Sequence, residues 1–189
     1  MSGLIALVGL PGVGKSTIGR QLARRLAWDF VDTDSAVEKR LGCSIRAFFD
    51  KEGESRFRDI EGEVIAQLSR MTSTVLATGG GVVMREANRK VLNSHAHVLY
   101  LRSTPEELFR RLRNDTQRPL LQVSDLLARL RELHAERDLL YREVAHFVIE
   151  TGRPSVASLV NMVLMQLELA GVIDPSMVPS PIEPLRTSN

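Results

Sequence analysis

Cysteine is all but missing from this chain. Cys43 is the only one in 189 residues, which excludes an intramolecular disulfide and any cysteine-built zinc site and suits a reducing cytosol. The four histidines (His95, His97, His134, His146) show no metal-ligand spacing such as H-x-x-x-H, so they are expected to be structural or solvent-facing. No dense block of one charge occurs. The formal net charge is +2, and a sequence pI near 9.0 without a Lys/Arg cluster is poor support for a nucleic-acid partner. No apolar stretch is long enough to span a bilayer. The run from Leu4 is short and ends in a glycine loop, unlike a signal peptide, so the expected location is the cytoplasm. An Asn-Lys-x-Asp guanine-recognition motif is also missing, which argues against a GTP switch.

What the chain does contain is ordinary in bulk and specific in detail. With 43% hydrophobic and 25% charged residues, it has the composition of one globular domain with a substantial core. Gly9-Leu10-Pro11-Gly12-Val13-Gly14-Lys15-Ser16 fits G-x-x-x-x-G-K-[ST] in full. The apolar run Leu4–Val8 before it reads as a buried strand, and Ile18, Leu22 and Leu26 after it recur at helical spacing. Strand, glycine loop and helix together cradle an anion, because loop amides and the helix N-terminus present positive charge at one place. Lys15 can reach β- and γ-phosphates and the Ser16 hydroxyl can ligate Mg²⁺. The motif predicts a nucleoside triphosphate site.

Five runs, Leu4–Val8, Asp29–Val31, Thr74–Thr78, His97–Leu101 and His146–Ile149, alternate with helical patterns, which predicts an α/β protein with a parallel sheet covered on both faces. Ligands in such sheets lie at the carboxyl ends of strands. From Gly171 onward Pro175, Pro179, Pro181 and Pro184 preclude a packed helix. A single domain over 1–170 and a disordered or loosely attached tail over 171–189 are therefore expected.

Candidate residues follow the strands. In extended backbone Asp32 and Asp34 would point to the same side, one supporting Mg²⁺ through water and the other accepting from an acceptor hydroxyl. Read alone, the pair serves equally as a helix cap at Asp34 or Ser35. Arg58 and Glu61 stand three apart on a helical stretch, and the residues alone favour a solvated surface pair. Gly79-Gly80-Gly81 allows close approach of backbone to a ligand. The third strand ends at Thr78 where a Walker B strand would end in Asp, leaving Asp32 as the metal-supporting carboxylate. Arg118, before Pro119 in a polar stretch between two helices, has the placement of a lid arginine, although an ordinary surface loop is the commoner case. Arg137 and Tyr141 lie at i, i+4, and Thr151-Gly152-Arg153-Pro154 forms a loop after the last strand. Cys43 is expected to be buried, and Trp28 to lie in the core or at its boundary.

Taken in order, these segments resemble the shikimate kinase family of the nucleoside-monophosphate-kinase-like branch of P-loop proteins: the glycine loop at 9–19, Asp32-Thr33-Asp34, Phe57-Arg58 with Glu61, Thr78-Gly79-Gly80-Gly81, Arg118-Pro119-Leu120-Leu121, and Arg137 with Tyr141. The resemblance covers about residues 4–168. It implies a three-layer P-loop fold with a five-stranded parallel sheet in the order 2-3-1-4-5, a substrate-binding helical region near 33–61 and a lid near 113–125. It implies a monomer, in the cytoplasm, that transfers the γ-phosphoryl group of ATP to the 3-hydroxyl of shikimate. It implies Lys15, Asp34 and Arg118 as catalytic residues. ATP would meet Gly12, Val13, Gly14, Lys15, Ser16, Thr17, Arg111, Arg118, Arg153 and Pro154. Shikimate would meet Asp34, Arg58, Gly79, Gly80, Gly81 and Arg137, and Mg²⁺ would be held by Ser16 and, through water, Asp32. No nucleic acid or membrane enters this picture. A gluconate or nucleotide kinase on the same scaffold is the nearest rival, since Arg58 and Arg137 could grip a phosphate as well as a carboxylate.

Overall fold

The structure is a computed structural model that describes residues 3–113, 125–152, 154–174 and 176. Its centre is β1 (Leu4–Val8), buried along its whole length, as a fully apolar run must be in a sheet covered on both faces. β2 (Asp29–Asp32), β3 (Thr74–Ala77), β4 (His97–Arg102) and β5 (Phe147–Glu150) complete an all-parallel sheet in the order β2-β3-β1-β4-β5. The expected order and strand positions hold, with ends shifted by a residue. The register sets Leu7 of β1 beside Ala77 on one flank and Leu99 on the other, and Asp32 beside Ala77. The carboxyl ends of β1, β2 and β3 therefore finish together.

The helices form two separate groups over the sheet. α1 (Lys15–Leu26) packs with α7 (Val156–Leu169). α6 (Leu126–Val144) packs with α4 (Glu86–His95) and α5 (Pro105–Leu112), giving three layers. α5 starts on a full capping box, with Thr104 and Glu107 each accepting the other's backbone amide and Pro105 at the first helical position.

α2 (Thr33–Leu41) and α3 (Ile45–Leu68) fold against each other around Val37, Phe57 and Val64, a small apolar cluster distinct from the main core. The rings of Phe49 and Phe57 lie 4.6 Å apart within it. α3 is kinked at Gly53, whose φ of 81° and ψ of 169° suit only glycine. Arg85 secures the C-terminal part of α3 by donating to Asp59 Oδ1 at 3.0 Å and to the Ser55 carbonyl at 3.3 Å. Cys43, in the turn between α2 and α3, is exposed rather than buried, because the connection leaves the small cluster at this point. After α7, Gly171 turns the chain with φ 68°. Val172 then packs on the main core and Ile173, 5% exposed, joins it. Among the described residues no helix is long and apolar enough to cross a membrane.

Candidate active site

The glycine loop leaves β1 at Gly9 and enters α1 at Lys15, with Gly14 as a cap that supplies no side chain. The first turn of α1 carries no acidic residue, so nothing there offsets the positive end of the helix dipole. At the start of α1 the Ile18 amide donates to Gly14 O at 2.9 Å. Those of Gly12, Gly14, Ser16 and Thr17 have no partner among the described residues. Val13 differs: its side chain is buried at 2% exposure and its amide donates to Leu10 O at 3.3 Å. Lys15 is buried, and its ammonium donates to the loop's own carbonyls, Gly9 O at 2.7 Å and Leu10 O at 3.0 Å.

Ser16 Oγ donates to Asp32 Oδ2 at 2.8 Å. The other oxygen of Asp32 accepts the amides of Asp34 (3.1 Å) and Ser35 (3.3 Å), which makes Asp32 the cap of α2. Two expectations change here. The cap is Asp32 and not Asp34 or Ser35, and Asp34 stands in the first helical turn instead of in extended backbone. Convergence of the two carboxylates comes from the strand-to-helix junction: Asp32 faces Ser16 while Asp34 faces the glycine triplet. A Cβ added to Gly79 would overlap Asp34 Oδ1, and one added to Gly81 would overlap the Arg58 guanidinium. This close approach accounts for two glycines that a plain turn would not require. Asp34 is exposed to the cleft, yet desolvation by the surrounding protein and the charge of Asp32 hold its carboxyl above the ordinary range, while Lys15 pulls it down.

Arg58 and Glu61 are not a surface pair. Their side chains are 11% and 3% exposed, with Arg58 Nη1 2.9 Å from Glu61 Oε2. The α3 face that carries them is covered by the glycine triplet, a tertiary effect that helical spacing does not reveal. Glu54 accepts from the opposite side of the same guanidinium at 3.1 Å. Burial pushes the Glu61 carboxyl upward, against the pull of Arg58. Arg137, on α6, is 12% exposed; its Nε is buried, lies 3.5 Å from Glu136 Oε2, and forms no hydrogen bond among the described residues. An orphaned guanidinium nitrogen inside a protein is costly unless a ligand accepts from it.

The triplet itself is held by side chains whose part the sequence did not reveal. Thr78 Oγ1 donates to Leu7 O at 2.8 Å, Gly79 N donates to Thr33 Oγ1 at 3.1 Å, and Tyr141 Oη donates to Gly80 O at 2.6 Å. Gly79 has thus spent its amide internally, whereas those of Gly80 and Gly81 have no partner among the described residues. Thr33, between the two aspartates, and Tyr141, four after Arg137, stood in plain view in the sequence, but nothing in it linked either to a glycine.

On the far side of the glycine loop, Arg111 donates to the carbonyls of Thr151 and Gly152, the latter at 3.4 Å. A shallow pocket there is lined by Glu107, Arg110, Arg111 and Gly152, and Pro154 follows half-buried. Arg118 and Arg153 lie outside the described residues, as does nearly all of the expected lid near 113–125. Among the described residues no cluster of three or more His, Cys, Asp or Glu side chains could hold a metal. Ser16 and Asp32 offer two adjacent hard oxygens, the donor type Mg²⁺ takes when phosphates and water complete its shell.

A family model described as "Shikimate kinase" matches residues 11–168. A shikimate kinase from Paracidovorax citrulli is 58% identical over 175 residues, covering 91% of this chain and 96% of that protein. One from Ralstonia nicotianae is 53% identical over 177 residues, covering 94% and 93%. Among solved structures, shikimate kinase from Acinetobacter baumannii in complex with shikimate superposes with a TM-score of 0.83 at 41% identity, covering 91% of this chain and 96% of that one.

Proposed function

The chain belongs to the shikimate kinase family, and from that premise we propose how this site transfers the γ-phosphoryl group of ATP to the 3-hydroxyl of shikimate, a step on the chorismate route to aromatic amino acids. The observation that carries the reading is the placing of Asp34 and Arg58 against Gly79 and Gly81, at the strand ends that also carry the phosphate loop. A phosphate-binding half and a half with charges suited to a hydroxylated carboxylic acid meet at one edge of the sheet.

ATP phosphates lie on the amides of Gly12, Gly14, Ser16 and Thr17, with Val13 shaping the loop from beneath. Lys15 exchanges its loop carbonyls for phosphate oxygens, a switch that needs only side-chain rotation. Adenine lies against Arg111 and Pro154, with Arg153 beside it, and Arg118 neutralises charge on the transferring group. Ser16 and, through water, Asp32 would hold Mg²⁺, which would supply charge neutralisation at the ATP phosphates.

Shikimate presents its carboxylate to Arg58 and Arg137, whose planar guanidinium groups fork onto two oxygens. Arg58 arrives pre-aimed by Glu61 and Glu54, and Arg137 Nε gains the acceptor it lacks. The amides of Gly80 and Gly81 donate to the substrate, while Gly79 serves by leaving room for Asp34. Asp34 accepts the proton of the attacking hydroxyl, and its raised pKa brings it nearer to the working range of a general base. A monomer is proposed as the active unit, as the resemblance implies. The expected domain over 1–170 extends through Ile173, because Val172 and Ile173 pack on the main core; the helical region near 33–61 is proposed to hold the acceptor, and the lid near 113–125 to act on ATP through Arg118. No nucleic-acid or membrane partner is part of the reading, and the scarcity of cysteine carries the expectation of a cytoplasmic location.

ADP release from ATP, followed with shikimate, gluconate and several nucleoside monophosphates as acceptors, tests the assignment. Turnover with shikimate at least about a hundredfold above the others is expected, because a guanidinium fork left without a carboxylate penalises the wrong acceptor. Faster turnover of gluconate or a nucleotide would overturn it.

A further inference from the structure

Tyr141 and Tyr100 are the two largest fully buried side chains, at 0% and 1% exposure. Their rings stack with centroids 5.0 Å apart and planes inclined by 29°. Both hydroxyls are committed. Tyr141 Oη donates to Gly80 O at 2.6 Å, and Tyr100 Oη donates to Asp138 Oδ1 at 2.8 Å. Asp138 is fixed in turn by Arg142 Nε at 2.7 Å, with Arg102 Nε lying 3.5 Å and His134 Nε2 3.6 Å away. A continuous run of contacts thus leads from β4, through a buried aromatic pair, to the backbone of the middle glycine of the triplet.

That run joins the two parts of the acceptor site that have least reason to stay in register. Arg137 projects from α6 one turn before Tyr141, whereas Gly80 and Gly81 belong to the loop after β3, 61 residues away from Tyr141 in the case of Gly80. Thr33 holds the triplet from the other side through the Gly79 amide, but Thr33 belongs to α2 and fixes nothing on α6. We propose that Tyr141 is a positioning residue for the acceptor: by holding Gly80 O it sets the distance between the Arg137 guanidinium and the Gly80–Gly81 amides. Tyr100 and Asp138 brace it from behind. A ring carboxylate and ring hydroxyls can meet the arginine and the amides together only while that spacing is kept, and misplacement by about 1 Å in a binding constellation can cost up to about a hundredfold. On its other side Gly80 packs against Pro11 of the glycine loop, where an added Cβ would lie 3.0 Å from Pro11 Cδ, but that loop is closed by its own backbone and by Lys15, so its closure does not depend on Tyr141.

The inference rests on the acceptor site proposed above, and full-length protein tests it. Tyr141→Phe keeps the ring and its stack but removes one hydrogen bond, leaving a buried carbonyl without a donor. KM for shikimate at saturating ATP should rise about 5- to 30-fold, KM for ATP should stay within about twofold, and kcat should fall by less than the shikimate KM rises. Placed on Arg137→Lys, the same change should add much less than it does in wild type, because the spacing it protects has already lost its guanidinium. A shikimate KM within about twofold of wild type, or equal rises in both KM values, would overturn the role of Tyr141. If Tyr141→Phe does not fold, Tyr100→Phe puts the same question more gently. It should raise the shikimate KM about 2- to 5-fold with the ATP KM fixed, and parallel or absent shifts would again overturn the role. Wild-type protein that fails to phosphorylate shikimate would remove the underlying reading instead, so the two failures are distinguishable.

Discussion

The two halves of the cleft are built in opposite ways. The nucleotide half is almost contiguous: eight residues from Gly9 to Ser16 supply the loop, the lysine and the Ser16 hydroxyl proposed to hold Mg²⁺. Its lysine finds acceptors within the loop itself, on Gly9 O and Leu10 O. The acceptor half is assembled from α2 (Asp34), α3 (Arg58, Glu61), the loop after β3 (Gly79–Gly81) and α6 (Arg137, Tyr141), and contacts across the fold decide which groups are buried. The first half can change ligand by rotating one side chain. The second is held open by charge against charge and by hydrogen bonds of long sequence separation, so it should respond to substitutions the first would not feel.

If the halves are separately built, their mutants should separate too, and the clearest division is at Asp34. Asp34→Asn keeps size and one acceptor but removes the base. Turnover should drop about 10²–10⁴-fold while nucleotide Kd, measured by titration, changes by no more than a few fold. Because desolvation raises the Asp34 pKa, the acid limb of the wild-type pH–rate profile should fall away above the usual aspartate range, protonation at lower pH removing the base. That limb should vanish from the residual activity of the mutant. Collapse of nucleotide binding with acceptor turnover intact would mean the two aspartates have been given each other's roles.

Lys15→Ala strikes the other half. A donor aimed at charge developing on the phosphates is worth about 10²–10³-fold in kcat, so turnover should fall by at least that factor with circular dichroism and melting curve preserved. Near-normal rates in a folded mutant would remove the phosphate loop from the mechanism.

A smaller effect is expected where the main core ends. A chain cut after Leu169 should melt several degrees below one cut after Asp174, because only the longer chain keeps Val172 and Ile173 on the core. Burial of one such side chain is worth about 1.5–3 kcal/mol, and a domain of this size shifts by about 2–4 °C per kcal/mol. Differential scanning calorimetry of the two truncations reads the difference directly, and equal melting temperatures would show that Ile173 contributes nothing.

The contrast between the halves also explains what the sequence could disclose. A phosphate loop is a local device, so strand, glycines, lysine and helix announce it in one stretch, and the alternation of apolar runs and helices gives the sheet. In the acceptor half Asp34 and the glycine triplet were suggested by their place after strands, whereas Arg58 and Arg137 were visible as ligand groups only through resemblance. Spacing alone made Arg58–Glu61 a surface pair, because α3 shows no sign in sequence of which face the glycine triplet will cover. Strand alternation placed Asp34 in extended backbone, because the capping by Asp32 that starts α2 one residue earlier competes with it and wins. Cys43 was assigned to the interior on residue type, whereas its turn leaves the small cluster. Tyr141 on Gly80 and Thr33 on Gly79 are contacts across 61 and 46 residues, beyond the reach of any local pattern.

The central claim is that Arg58 and Arg137 hold the acceptor by its carboxylate, and a double cycle tests it most directly. Apparent affinities of shikimate and of its carboxamide analogue would be measured for wild type and for Arg137→Lys, then again for Arg58→Lys. Each lysine keeps the charge and loses the planar fork. A charge-assisted hydrogen bond is worth about 1.5–3 kcal/mol, so each lysine should weaken shikimate about 10- to 150-fold with ATP affinity unmoved. The carboxamide should bind wild type poorly and lose little more in the mutants, since the fork has nothing left to grip. Full additivity between the arginine change and the carboxamide change would contradict the account and place the carboxylate elsewhere.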